Sequence, residues 1–338
     1  MHEARGCTGV RMTVTAERSV LREFERPTWR GSAQVTTTAI GLAAGWLLTD
    51  WAVSISWPLG VASSFIIAIF SVRAFIIFHD CGHGSFSHSR RLNTVVGSLI
   101  GVIVFTPYSY WSRTHRRHHA TTGDLDRRGS GDVWTMTTDE YRAASPGQRL
   151  WYRTYHNPLF LMSIGPLIKF AIAYRLNLNP KVADRRVRTS IYLTNTAIAG
   201  YAVAMCLWMG TTKYIIIQLM VLAFGGIPAA YLLYVQHSFP GTYWRRHAEW
   251  DYMEASLAGS SRLVLPRFLQ WVTGNIGFHH IHHIAPRIPN YRLPRAQDAC
   301  PQLQPGRTLT LGTSLGVLRA KLWDEAAGCY VTFAEGGF

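Results

Sequence analysis

Residues 189–236 read TSIYLTNTAIAGYAVAMCLWMGTTKYIIIQLMVLAFGGIPAAYLLYVQ, a stretch with one charged side chain, Lys213. A helix crosses the hydrocarbon core of a bilayer with about 20 apolar residues, so this stretch is long enough to cross twice. Lys213 then marks the outer turn between residues 189–212 and 214–236. A second stretch has the same form. Residues 31–49 and 51–72 are apolar on either side of Asp50, with Trp57-Pro58 at the expected turn and Arg73 near the second helix's end. The expected fold is an all-α integral membrane protein with four transmembrane helices in two hairpins.

Composition agrees with lipid as the solvent. Hydrophobic residues make up 48% of the 338 residues and charged ones 16%, against roughly 25% charged in soluble domains. The formal charge of +15 could signal nucleic acid, because clustered Lys and Arg neutralise phosphates. No DNA- or RNA-binding motif accompanies the charges, and they flank the apolar runs, so no nucleic-acid partner is expected.

The basic residues also set an orientation, since loops rich in Lys and Arg stay in the cytoplasm. Six Arg precede the first run, sixteen Lys and Arg lie between residues 79 and 189, ten follow residue 236, and the outer turns hold Lys213 alone. Both termini and the middle segment are therefore expected in the cytoplasm. A fifth uncharged run, residues 92–112, carries Gly97, Gly101 and Pro107. A full crossing there would break the charge pattern, so a dip returning to the same side is expected. Residues 156–176, with Pro158, Pro166 and Lys169, read as an interfacial amphipathic helix.

The expected organisation is a cytoplasmic tail over 1–35, one domain over 36–295 with four spans and a cytoplasmic helical cap, and a cytoplasmic tail over 296–338. Five scattered cysteines form no C-x-x-C pair, which suits a reducing compartment. Residues 1–35 contain no apolar segment ahead of a small-residue cleavage site, so no secretory signal is visible.

Fourteen histidines are present, most of them clustered. His79 and His83 are four apart at the end of the second run, and residues four apart share a helix face. His115, His118 and His119 form H-R-R-H-H, and His279, His282 and His283 fit the same spacing in H-H-I-H-H. His280 falls off the shared face. His237 follows the fourth run directly and makes a ninth candidate. Neutral imidazole binds zinc, copper, iron or nickel, and one ion takes about four such ligands. Eight or nine imidazoles therefore imply two ions. His88, His156 and His247 lack partners at helical spacing and read as structural.

Other metal and cofactor chemistries lack their signatures. There is no H-E-x-x-H, no E-x-x-H pair for a carboxylate-bridged site and no G-x-G-x-x-G. A nitrogen-rich pair of redox metals at a membrane surface suits oxygen activation against an unreactive C–H bond, with the protein supplying orientation and exclusion of water. Metal-bound imidazoles usually donate their other N–H to a carboxylate or carbonyl. Asp80, Asp124, Asp126, Asp132, Asp251 and Asn275 lie near enough in sequence to serve.

The three boxes, in order and placed around two hairpins, resemble the membrane fatty acid desaturase and hydroxylase superfamily over residues 36–295. H-D-C-G-H-G-S-F at 79–86, Q-H-S-F-P-G at 236–241 and G-N-I-G-F-H-H-I-H-H at 274–283 are similar in wording to bacterial acyl-lipid desaturases of the omega-6 or delta-12 type. The resemblance implies a bacterial inner-membrane enzyme that removes two hydrogens from a fatty acyl chain. It implies two iron ions, dioxygen as co-substrate and two electrons from outside. Carried over, the metal-binding and catalytic residues are His79, His83, His115, His118, His119, His279, His282 and His283, with His237 at an extra-ligand position. The chain lacks an H-P-G-G haem signature, so a separate ferredoxin or small haem cytochrome is the expected donor. Leu233 stands where some animal members carry a ligating Asn. Two alternatives remain at this point, an acyl or carotenoid hydroxylase on the same metals and, more distantly, a metal-ion transporter.

Overall fold

The structure is a computed structural model that describes residues 17–176 and 184–338. The described residues form two compact units, one comprising residues 27–114 and 157–231, the other residues 17–26, 115–156 and 232–338.

The first unit is built on long helices. α1 spans Trp29–Ile55 and α2 spans Trp57–His83. A single residue turns the chain between them: the Ser56 N–H donates to the Ala52 carbonyl at 3.0 Å, and its Oγ accepts from the Leu59 N–H at 3.4 Å. Pro58 sits in the first turn of α2, where its missing donor costs nothing. The two helices approach closely because Gly60 faces Val53: a Cβ at residue 60 would lie 2.2 Å from Val53 Cγ2. α3 spans Arg90–Ile103 and α4 spans Tyr108–Thr121. The uncharged run 92–112 is thus not one straight span, since α3 and α4 are bent by 104°. Phe105 (φ 54°) and Pro107 lie in the break.

α5 spans Arg185–Met209 and α6 spans Thr211–His237, separated by Gly210 at φ 88°, a conformation that favours glycine. Among the described residues, α1, α2, α5 and α6 are the four helices that are each long and apolar enough to cross a membrane. The protein is an all-α, multi-pass membrane protein.

The breaks fall elsewhere than the charges suggest. α1 runs through Asp50 to Ile55, and Lys213 lies inside α6. The two side chains pair at 3.6 Å, so each charge has a partner and neither stops its helix. An extended serine and a left-handed glycine end the helices instead. Residues 156–176 are not one regular helix either. A π-helical turn at Phe160–Ile164, an α-helix at Gly165–Ala171 and a 3₁₀ turn at Ala173–Arg175 follow one another. They leave Leu159, Ile164, Ile168, Ile172 and Leu176 exposed, an apolar stripe with largely helical spacing.

The second unit holds short elements: α7 (Tyr252–Ala258), β1 (Ser261–Val264), α8 (His279–Ile284) and β2 (Arg307–Thr310). β1 and β2 pair in parallel. Ile281 and Ile284 of α8 pack with Leu21, Ile288, Leu293 and Leu303. The segment 296–338 carries β2 and the antiparallel pair Leu322–Asp324 with Cys329–Val331. It buries Leu303, Leu309, Leu322 and Trp323, so it forms part of the unit's core. Of the segment read as an N-terminal tail, residues 1–16 lie outside the described residues, and α1 begins within it at Trp29.

Overpacking the α1–α2 contact tests this arrangement. Gly60→Leu is expected to lower stability by about 1–3 kcal/mol, read as a reduced melting temperature in detergent. Gly200→Leu, at an exposed helical glycine whose Cβ meets nothing within 4 Å, is expected to leave it unchanged. Equal melting temperatures for both would contradict the packing.

Candidate metal centre

Each candidate histidine is placed by a helix end. α2 ends at His83, with His79 one turn earlier and their ring centroids 4.7 Å apart. His79 also lies edge-on to Trp111 at 5.5 Å, with its Nδ1 3.7 Å from an Asp80 carboxylate oxygen. This pair belongs to the first unit.

The other seven belong to the second unit. α4 carries His115, His118 and His119 in its last two turns, His237 is the last residue of α6, and His279, His282 and His283 come from α8. Six residues are too few for a helix to hold itself together. α8 is fixed by the buried side chains of Ile281 and Ile284 and by the strand before it, where the Leu263 N–H donates to the Gly277 carbonyl at 2.9 Å.

Four Nε2 atoms gather in one place. His118 lies 3.1 Å from His237, His237 lies 2.9 Å from His279, and His279 lies 3.0 Å from His283. All four side chains are buried. A second gathering joins His119 to His115 and to His282, each Nε2 pair at 3.1 Å.

The protons decide what these distances mean. The His237 Nδ1 lies 3.1 Å from the Gly259 carbonyl, which can only accept, so the ring proton is on Nδ1. The His118 Nδ1 lies 2.5 Å from Asp132 Oδ1 and likewise donates. Asp132 is held by the backbone N–H groups of Gly129 and Ser130, at 2.9 and 3.2 Å on its other oxygen. With the ring protons on Nδ1, a neutral His118 and a neutral His237 present their Nε2 lone pairs to each other. Burial holds His279 and His283 well below the usual histidine range, with the neighbouring imidazoles adding to the effect, so both are neutral.

Two lone pairs 3.1 Å apart repel each other unless a cation lies between them. Nitrogens about 2.1 Å from a metal sit about 3 Å apart at right angles, so the spacing fits a first-row ion. Each of the four residues offers one donor atom, and these atoms all lie within 4.8 Å of one another.

The remaining polar residues separate by role. His280 is buried but faces away, with its Nε2 on Gln297 Oε1, and burial lowers its pKa to about 4. His156 is buried with Nε2 donating to the Trp134 carbonyl at 2.7 Å, and burial lowers it to about 3. His247 contacts Asp124 at 2.8 Å, and His88 is exposed. Among the five aspartates near the boxes, Asp132 is hydrogen-bonded to the clustered imidazole of His118. Asp126 pairs with Arg246, and Asp251 caps α7. Asn275 donates to the Asn290 carbonyl at 3.2 Å. The Gly259 carbonyl carries no side-chain signal in the sequence, and only the folded loop reveals it.

The family profile described as "Fatty acid desaturase" matches residues 55–313. The chain belongs to the fatty acid desaturase family. This desaturase is 41% identical to a fatty acid desaturase of Bacillus subtilis, over 92% of its own length and 88% of the relative's. It is 26% identical to the sn-1 oleoyl-lipid 12-desaturase of Synechocystis, over 82% and 77% of the two chains. A Nostoc protein named sn-1 acyl-lipid omega-3 desaturase (ferredoxin) is 24% identical, over 76% and 70%. The desaturase is an oxidoreductase by family, and its histidine clusters could hold metal.

Asp132 offers a test of how the first gathering is oriented. Asp132→Ala is expected to weaken metal retention about 10- to 100-fold, the usual effect of losing a partner behind a ligating imidazole. Competition against a chromophoric chelator measures it. His280→Gln is expected to retain metal as the parent chain does, and equal loss in both variants would contradict the assignment.

Proposed function

We propose that the protein is an oxygen-dependent acyl-lipid desaturase whose two iron ions are held by nine histidines. His118, His237, His279 and His283 take the first ion. His115, His119 and His282 take the second, and we assign His79 and His83 to it because their helical spacing makes them a ligand pair of their own. The observation that carries this reading is the convergence of one donor atom each from His118, His237, His279 and His283, all within 4.8 Å of one another.

When bound, such a pair of irons supplies the power to reduce dioxygen and abstract hydrogen from an unactivated methylene. The reaction balances as one acyl –CH₂–CH₂– segment, one dioxygen, two electrons and two protons giving a –CH=CH– segment and two waters. The protein's part is to orient and to exclude. Asp132 and the Gly259 carbonyl keep the ring protons on Nδ1, leaving both Nε2 atoms free to bind, and burial keeps His279 and His283 neutral.

The names of the Synechocystis and Nostoc relatives support an acyl group on a glycerolipid and a ferredoxin as donor. The distribution of Lys and Arg supports both termini in the cytoplasm, and the bacterial and cyanobacterial relatives support a bacterial inner membrane. Desaturation is favoured over hydroxylation because the Bacillus subtilis, Synechocystis and Nostoc relatives carry desaturase names. A transporter would hold its ion near the bilayer midplane, whereas these imidazoles sit at helix ends.

Expression in a bacterial host with defined saturated and monounsaturated lipids, with a ferredoxin and its reductase, tests the proposal. New double bonds mapped by mass spectrometry are expected from the parent chain and not from His118→Ala. Unchanged lipids from an inserted, iron-loaded parent chain with a working reductant would overturn it.

A further inference from the structure

The second unit carries an apolar surface that the proposed chemistry does not use. Val264 at the end of β1 is 42% exposed, and Phe268 and Trp271 on the following helix, Arg267–Val272, are 57% and 43% exposed. Leu311 and Leu315, on the helix Leu311–Val317 that follows β2, are 39% and 62% exposed. The β1–β2 pairing sets Val264 opposite Thr310, the residue before Leu311, so the two helices start from one edge. The rings of Phe268 and Trp271 lie with centroids 6.1 Å apart and planes 22° apart. Solvent-facing aromatic and aliphatic side chains gathered this way mark an interaction surface.

The stretch that carries this surface is strongly basic. Between Glu254 and Asp324 the chain contains one carboxylate, Asp298, against eight Lys and Arg. Arg267 and Arg307 are exposed and flank the apolar residues in sequence, and Arg319 is exposed just beyond the second helix. An apolar face with interfacial aromatics and a basic rim is the pattern of a segment lying in a bilayer interface. Anionic headgroups match the rim. A second copy of the chain does not, because a two-fold contact of this face with itself would bring the same arginines together.

We propose that this face of the second unit inserts into a leaflet containing anionic lipid, with Phe268, Trp271, Leu311 and Leu315 below the headgroups and Arg267 and Arg307 at phosphate level. The contact lies outside the four membrane-spanning helices and is independent of the metal assignment.

Nitroxide labels at Phe268→Cys, Leu315→Cys and Val264→Cys, in the full chain with its native cysteines replaced, read the depth directly. Ala326→Cys, exposed in the same unit outside this surface, is the reference. In lipid nanodiscs containing phosphatidylglycerol, collisions with oxygen are expected to exceed those with a water-soluble nickel chelate at the three test positions. The order is expected to reverse at residue 326. Nanodiscs of phosphatidylcholine alone, or the pair Arg267→Glu with Arg307→Glu, are expected to make the test labels shallower. Chelate-accessible labels at all positions would overturn the proposal. So would labels shielded from both reagents with dipolar broadening, which would mean a second copy on this face, or a depth insensitive to lipid charge and to both arginines.

Discussion

Two imidazole nitrogens that have both given up their protons cannot sit in contact inside a protein without something positive between them. The Nε2 atoms of His118 and His237 face each other 3.1 Å apart, with Asp132 and the Gly259 carbonyl drawing a proton to the far side of each ring, so neutral rings would be in that position. Each unsatisfied buried polar group costs about 1–3 kcal/mol. Placing His279 and His283 beside them multiplies the cost. The arrangement is understandable as a site whose ligand repays it, and it dictates much of the surrounding fold. α8 brings His279, His282 and His283 against other imidazoles while Ile281 and Ile284 pack into the hydrophobic core.

The long helices serve the same constraint from the other direction. A helix of 27 residues such as α2 is about 40 Å long at 1.5 Å per residue, and the hydrocarbon core takes about 30 Å of it. What remains is a projecting turn or two, and both α2 and α6 place histidines there, His79 and His83 on one and His237 on the other. A rigid rod anchored in lipid can in this way support a ligand at its end.

Much of this was legible in the sequence, for reasons that differ by residue. Histidines at spacings of three and four announce a shared helix face, and the template that set His280 apart agrees with its place on Gln297. Apolar runs announce spans because lipid tolerates little else. The boundaries were less legible: Asp50 and Lys213 look like breaks one at a time, and only their pairing across two helices explains why neither is one. Of the five candidate aspartates, Asp132 is turned toward His118 by the loop around Gly129 and Ser130, which no periodicity encodes. Residues 296–338 read as a tail because strands of three or four residues leave no pattern, although Leu322 and Trp323 are fully buried.

The central claim, that clustered imidazoles grip two redox ions, is tested most directly by iron content together with iron K-edge absorption on the purified, iron-loaded chain. The account predicts two irons per chain, each with a nitrogen-dominated shell at about 2.1 Å and the outer scattering of imidazole rings. A chain that saturates with fewer than two irons, or a shell dominated by oxygen or sulfur, would contradict it.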